Sequence, residues 1–151
     1  MNRLRALISA LALVFAAALP LAANAQAGSP VTVVDNGDTW TLDNGIVKAT
    51  IRKNNGFMPS LIYKGKQLMQ ASGGTWEHTP QGAPSVTNSI TIDPATNGGE
   101  RAEVSIKGVG GGTFTFTRGA PGGGTTCDIE LRYSLGRSDH GLYTYSIFSH
   151  P

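Results

Sequence analysis

The alternation of apolar and polar residues along the chain predicts short β-strands. Residues 46–52 and 101–107 each place apolar side chains on one face and polar side chains on the other, and the longest such run is 125–135. Turn-forming residues such as those at 35–38 separate the runs, and no helical period follows residue 25. About eight or nine strands joined in this way predict an all-β protein, an antiparallel β-sandwich. The predicted strands are 31–34, 39–42, 46–52, 57–63, 86–92, 101–107, 113–117, 125–135 and 142–149.

A polar loop, residues 70–85, interrupts this pattern and contains the segment Gly73-Gly74-Thr75-Trp76-Glu77-His78. An aromatic ring flanked by glycine and polar residues can stack on a sugar, while a neighbouring imidazole offers hydrogen bonds. Trp76 and His78 are therefore weakly predicted as substrate-binding residues. The alternative is that Trp76 covers one open edge of the sandwich.

The first 25 residues have the pattern of a cleavable signal peptide. Arg3 and Arg5 precede an apolar stretch, 7–21, and Ala25 ends a small-x-small cleavage signature. Cleavage after Ala25 leaves residues 26–151, with ten basic and ten acidic residues, so the predicted location is secreted or periplasmic. A domain with no net charge and no basic run lacks the electrostatic footprint of nucleic-acid binding and of membrane attachment.

The sequence predicts no metal and no cofactor. Its three histidines are far apart, and its one cysteine, Cys127, lies in an alternating run that predicts an inward-facing, buried thiol. The glycine runs at 108–112 and 119–124 are not followed by the Lys-Ser/Thr pair of a phosphate-binding loop. We interpret them as flexible hairpin connections.

Four segments, in order, resemble motifs of the rhamnogalacturonan lyases, polysaccharide lyase family 4. Residues 42–51 resemble the family's "DNGIV-x-x-T" strand, and residues 61–66 its "I-x-Y-x-G" element. Residues 74–77 are a looser match to "GYWD", and residues 137–150 are similar to "RGSSGFYTYAIYEH". The resemblance extends over most of the chain that follows the predicted signal peptide.

This resemblance implies a galactose-mutarotase-like β-sandwich from a secreted enzyme that cleaves pectin rhamnogalacturonan by β-elimination. The expected partner is the polysaccharide. The family's catalytic Lys and His follow the strand that residues 137–150 resemble, so no residue here inherits a catalytic role. The resemblance therefore implies an incomplete sandwich, the N-terminal part of the lyase domain, that is inactive alone. One alternative is a complete, non-catalytic carbohydrate-binding module, and another is an exported structural or interaction domain without a ligand.

Overall fold

The computed structural model describes residues 28–114 and 123–150, and its strands form three antiparallel sheets. The predicted signal peptide, 1–25, lies outside the described residues. Within the described part, no helix is long and apolar enough to cross a membrane. A single 3₁₀ turn spans Pro94–Thr96. The strands are β1 (Thr32–Asp35), β2 (Thr39–Asp43), β3 (Val47–Arg52), β4 (Ser60–Tyr63), β5 (Lys66–Gln67), β6 (His78–Thr79), β7 (Ser85–Ile92), β8 (Arg101–Val109), β9 (Gly112–Phe114), β10 (Gly123–Thr125), β11 (Asp128–Gly136) and β12 (Tyr143–Ser149).

Two larger sheets and one small sheet enclose the core. The strand order is β1-β2-β3-β4-β5 in the first sheet, β12-β11-β8-β7 in the second and β10-β9-β6 in the small one. The apolar positions of the alternating runs face inward, which confirms the all-β, sandwich-like architecture. The most buried core residues are Leu42, Ala49, Ile51, Ala102, Val104, Ile106, Leu131, Tyr133 and Leu135.

Some predicted strands are divided in the structure. The predicted strand 57–63 becomes an isolated bridge between Met58 and Gly74, followed by β4, because Pro59 has no N–H to give to a ladder. The predicted strand 125–135 is divided into β10 and β11 by a bend. Cys127 lies in that bend and is half-buried, so the expectation of a buried thiol was wrong. The predicted loop 70–85 also contains the short strand β6.

A buried asparagine joins the two larger sheets. Asn44, in the turn between β2 and β3, is 1% exposed. Its Nδ2 donates to the carbonyl oxygens of Gly136 (2.8 Å) and Asp139 (2.9 Å), which lie at the end of β11 and in the turn after it. Its Oδ1 accepts from the N–H groups of Ile46 (3.0 Å) and Val47 (2.8 Å). All four hydrogen bonds that a primary amide readily makes are therefore satisfied inside the protein.

Asn44→Ala is expected to lower the free energy of unfolding by about 3 kcal/mol, because it leaves buried backbone groups on both sheets without partners. Urea denaturation measures this loss. Asn36→Ala is the matched control: the Asn36 side chain is exposed and, among the described residues, donates only to the hydroxyls of Thr39 and Thr41. We expect a change of about 0.5 kcal/mol or less in the control. Equal losses in the two variants would contradict the role assigned to Asn44.

Candidate functional site

Trp76 lies against the core and is half-buried. Its Nε1 donates to the Tyr133 hydroxyl (2.6 Å), and the two rings meet edge-on with centroids 6.5 Å apart. The Tyr133 hydroxyl in turn donates to the carbonyl of Gly56. Burial raises the pKa of Tyr133, and the hydrogen bond from Trp76 offsets only part of that shift, so the phenol stays protonated and remains a donor. The indole N–H of Trp76 is thus committed to an internal hydrogen bond.

His78, on β6, lies beside Trp76, with ring centroids 5.9 Å apart. Its Nε2 is 2.6 Å from the Ser146 hydroxyl, and its ring packs against Phe148 at a centroid distance of 5.0 Å. Ser146 pairs with the buried Leu131 across the ladder, which places this contact on the core side of the second sheet. The structure therefore brings the two predicted residues together. Their role in substrate binding stays a prediction.

The opposite side of the second sheet carries a set of charged and hydroxyl side chains that sequence reasoning did not select. Arg132 lies at its centre: Nε donates to Glu130 Oε1 (2.7 Å) and Nη1 donates to Glu103 Oε1 (3.0 Å). Glu103 also accepts hydrogen bonds from the Thr91 hydroxyl (2.8 Å) and the Tyr145 hydroxyl (2.9 Å). We call this surface the polar face and define it by Glu103, Ser105, Glu130, Arg132, Tyr143 and Tyr145.

The strand registers explain this convergence. Arg132 on β11 is paired with Ser105 on β8 and with Tyr145 on β12, so three neighbouring strands present these side chains side by side. Because alternate residues of a strand point to opposite faces, Leu131 and Tyr133 enter the core while Arg132 points away from it. The sequence did contain a signal for this cluster: the charged residues at 103, 130 and 132 alternate with apolar residues and so take outward positions on their strands. Their contact depends on pairing between distant strands.

Electrostatics keep Glu130 and Arg132 of the polar face ionised. Partial burial raises the pKa of Glu130, but hydrogen bonds from Ser105 and Arg132 lower it by more, so the net shift is downward. The bond to Glu130 raises the pKa of Arg132 against the effect of its own burial. The Ser105 hydroxyl donates to Glu130 Oε1 at 2.5 Å. Both carboxylates of the polar face are therefore occupied as hydrogen-bond acceptors within the protein.

Two tyrosine rings border the polar face along β12. Tyr143 is 58% exposed and Tyr145 is 43% exposed, and they lie two residues apart on the same side of the strand. The Arg101 guanidinium carbon lies 6.0 Å from the centroid of the Tyr143 ring. An exposed ring can pack against the C–H face of a sugar, while adjacent charged groups bond its hydroxyls. In the part of the chain that the structure describes, no cluster of three or more His, Cys, Asp or Glu side chains could hold a metal.

The link between Ser105 and Glu130 is expected to be charge-dependent. Ser105→Ala should cost about 1 kcal/mol of unfolding free energy near neutral pH, because it removes a donor to an ionised, partly buried carboxylate. A carboxylate with a lowered pKa stabilises the fold above its unfolded pKa of about 4.3, and that contribution disappears as the pH falls through the folded pKa. The cost of the substitution should therefore shrink toward about pH 3.

Chemical denaturation at the two pH values measures this change. Ser89→Ala provides the control, since Ser89 is exposed on the same sheet and its hydroxyl bonds to no other described residue. The control should show almost no loss at either pH. A loss for Ser105→Ala that is the same at both pH values would show that the bond does not depend on the charge of Glu130.

Comparison of the chain with protein-family models, with curated proteins and with solved structures found no match. No family is therefore assigned to the chain. Its function is inferred from the polar face and from the sequence motifs.

Proposed function

We propose that the chain is the N-terminal part of the lyase domain of a secreted rhamnogalacturonan lyase, with a galactose-mutarotase-like sandwich, and that its polar face recognises the pectin polysaccharide. The observation that carries the recognition proposal is the pair of exposed tyrosines beside ion-paired side chains. Tyr143 and Tyr145 offer flat apolar surface, and the partly exposed guanidinium of Arg132, held by its two carboxylates, offers a fixed charge beside them. Carbohydrate sites need both kinds of surface, because a pyranose has C–H faces and a rim of hydroxyls.

The positions of the family-like segments support the lyase part of the proposal. Asn44, from the first segment, bonds the carbonyl oxygen of Asp139, from the fourth. Tyr63, from the second segment, has its hydroxyl 3.3 Å from His140 Nδ1, also in the fourth. Segments far apart in sequence therefore meet in one region. Proteins with a common fold are expected to share motifs whose residues contact one another, as these segments do.

The chemistry of the described residues favours recognition over catalysis. β-Elimination at galacturonate requires a base to remove the C5 proton and cations to stabilise charge on the uronate carboxylate. The two cationic side chains at the ends of the polar face already have partners. Arg101 donates from Nε to Ser134 Oγ (2.9 Å), and Lys107 pairs with Asp128 (3.5 Å). The resemblance places the catalytic Lys and His after the segment 137–150. We therefore propose that this chain contributes to polysaccharide binding and has no elimination activity of its own.

Affinity electrophoresis in gels containing rhamnogalacturonan tests the binding proposal. The wild-type chain should be retarded, and Tyr143→Ala should weaken the apparent affinity about fivefold by removing one stacking ring. Val34→Ala, which truncates an exposed apolar residue on β1 of the other sheet, should migrate as wild type. Absence of retardation would contradict polysaccharide binding. Loss confined to Trp76→Phe would instead assign binding to the opposite side of the sheet.

A second measurement tests the absence of catalysis. Elimination produces an unsaturated uronate that absorbs in the ultraviolet, so lyase turnover is seen as a rise in absorbance. We expect no rise when the purified chain is incubated with rhamnogalacturonan. Measurable turnover that is retained through purification would overturn this expectation and would require a base within residues 26–151.

The second candidate function is a complete, non-catalytic carbohydrate-binding module. The exposed tyrosines favour it equally, since they need no catalytic partner. The coding sequence after residue 151 distinguishes the two candidates: further strands with Lys and His support the lyase, whereas an immediate stop codon supports the module. An exported domain without a ligand, the third possibility, predicts no retardation in the gel.

A further inference from the structure

A cleft of about 600 Å³ opens where the two larger sheets come together at the β7 edge. One wall comes from the β1–β2 turn and from the end of β3 with the residues that follow it, and the other comes from β7. Val86 and Asn88 line the cleft, and these positions alternate with Thr87 and Ser89 along the strand. Because alternate side chains point to opposite faces, the cleft and the polar face lie on different sides of β7. They are separate surfaces.

Lys53, in one wall of the cleft, has partners within the protein. Lys53 Nζ lies 2.5 Å from Asp35 Oδ1 and 3.8 Å from the centroid of the Trp40 ring, which is 7% exposed. The N–H of Gly37 donates to the same carboxylate oxygen (2.8 Å), with the glycine in the left-handed region at φ 83°. Two hydrogen bonds lower the pKa of Asp35 below its usual value: that from Lys53 has the larger effect, and that from Gly37 the smaller. These contacts neutralise Lys53 and hold it against Trp40 at the cleft.

Four polar side chains that line this cleft are exposed and accessible to a ligand. The side chains of Asp38, Arg52, Asn54 and Asn88 all line it, and none makes a hydrogen bond or ion pair with another described residue. Arg52 and Asp38 have opposite charges but are not joined to each other. The set thus offers a guanidinium, a carboxylate and two primary amides, which together can donate to and accept from adjacent hydroxyls.

The charges of the cleft discriminate between ligand classes. Lys53 is offset by Asp35, and Arg52 is offset by Asp38, so the cleft has no net charge with which to favour an anion. It also lacks an exposed aromatic platform, because Trp40 is covered by Lys53. Its volume falls within the range of about 300–1,000 Å³ that is typical of small-molecule sites. Uncharged, hydroxyl-rich ligands match these properties best.

We propose that this cleft is a binding site for a neutral sugar unit with free vicinal hydroxyls. Asp38 accepts from a pair of adjacent hydroxyls, Arg52 donates to the sugar oxygens, and the amides of Asn54 and Asn88 bind from opposite walls. The proposal does not rest on the polar face or on the lyase resemblance. The proposed site lies on the other side of β7 from the polar face.

Nuclear magnetic resonance titration of the full chain with three probes tests the site. The probes are methyl galactoside, its fully O-methylated derivative and galacturonate. Methyl galactoside should shift the side-chain amide resonances of Asn54 and Asn88, whereas the O-methylated sugar, which has no hydroxyl donors, should not. Arg52→Gln and Asp38→Asn should each raise the dissociation constant about tenfold, as expected for the loss of a charge-assisted hydrogen bond.

Two control variants make the assignment specific. Lys66→Gln removes an exposed cation on β5, outside the cleft, and should bind methyl galactoside as wild type does. Tyr143→Ala, on the polar face, should also leave the shifts of Asn54 and Asn88 unchanged. The titration therefore tests the cleft independently of the polar-face proposal, which the gel assay tests.

The proposal would be overturned by no shift with methyl galactoside, by equal shifts with the O-methylated sugar, or by the same loss of affinity in Lys66→Gln. Galacturonate binding more than about tenfold tighter than methyl galactoside would also overturn it, because Arg52 would then be recognising a carboxylate. If a cleft variant fails to fold, the comparison of the three sugars on the wild-type chain still decides the question.

Discussion

The buried amide of Asn44 is the interaction on which the arrangement of the two larger sheets depends. The sheets meet through apolar side chains, and such contacts are tolerant of small shifts because hydrophobic attraction has little directionality. Asn44 adds directional bonds, from a turn of the first sheet to carbonyls at the β11–β12 end of the second. An unsatisfied buried amide or carbonyl is costly, so only one relative placement of these turns is favourable. The nearby contact between Tyr63 and His140 forms in that same placement.

The two faces of β11 have different surroundings: one faces the core and the other forms part of the polar face. Tyr133 is buried and links Trp76 to the carbonyl of Gly56, which fastens the 70–85 segment to the sheet. Its neighbour Arg132 points the other way and organises the polar face. A register shift of one residue would exchange the two side chains and bury a guanidinium in the core. The packing of the interior and the chemistry of the surface are therefore controlled by the same ladder.

The parts of this structure that could be predicted from sequence are those with local causes. Alternation along residues 46–52 and 101–107 is a property of each strand by itself, so it predicted both the strands and their inward-facing residues. The two carbonyl groups that accept from Asn44 Nδ2 lie 92 and 95 residues away, and nothing in the turn of Asn44 specifies them. The meeting of Glu103 with Arg132 likewise depends on the β8–β11 register. The prediction for Cys127 was wrong for a different reason. The alternating pattern was assumed to continue through residue 127, but a bend there interrupts the strand.

The ion pairs of the polar face are better understood as positioning devices than as sources of stability. Water reaches Arg132 and screens its ion pairs, whereas the buried carboxylate of Glu103 depends on its partners within the protein. Their geometric effect is larger: Glu103, itself nearly buried, is held by Arg132 and Thr91 and accepts the hydroxyl of Tyr145. The ring of Tyr145 is thereby oriented while 43% of the residue remains exposed. A ring that is already oriented loses less entropy on contact with a ligand, so more of the contact energy is retained as affinity. The same network therefore satisfies a buried carboxylate, Glu103, and sets the orientation of an exposed ring, Tyr145, on β12.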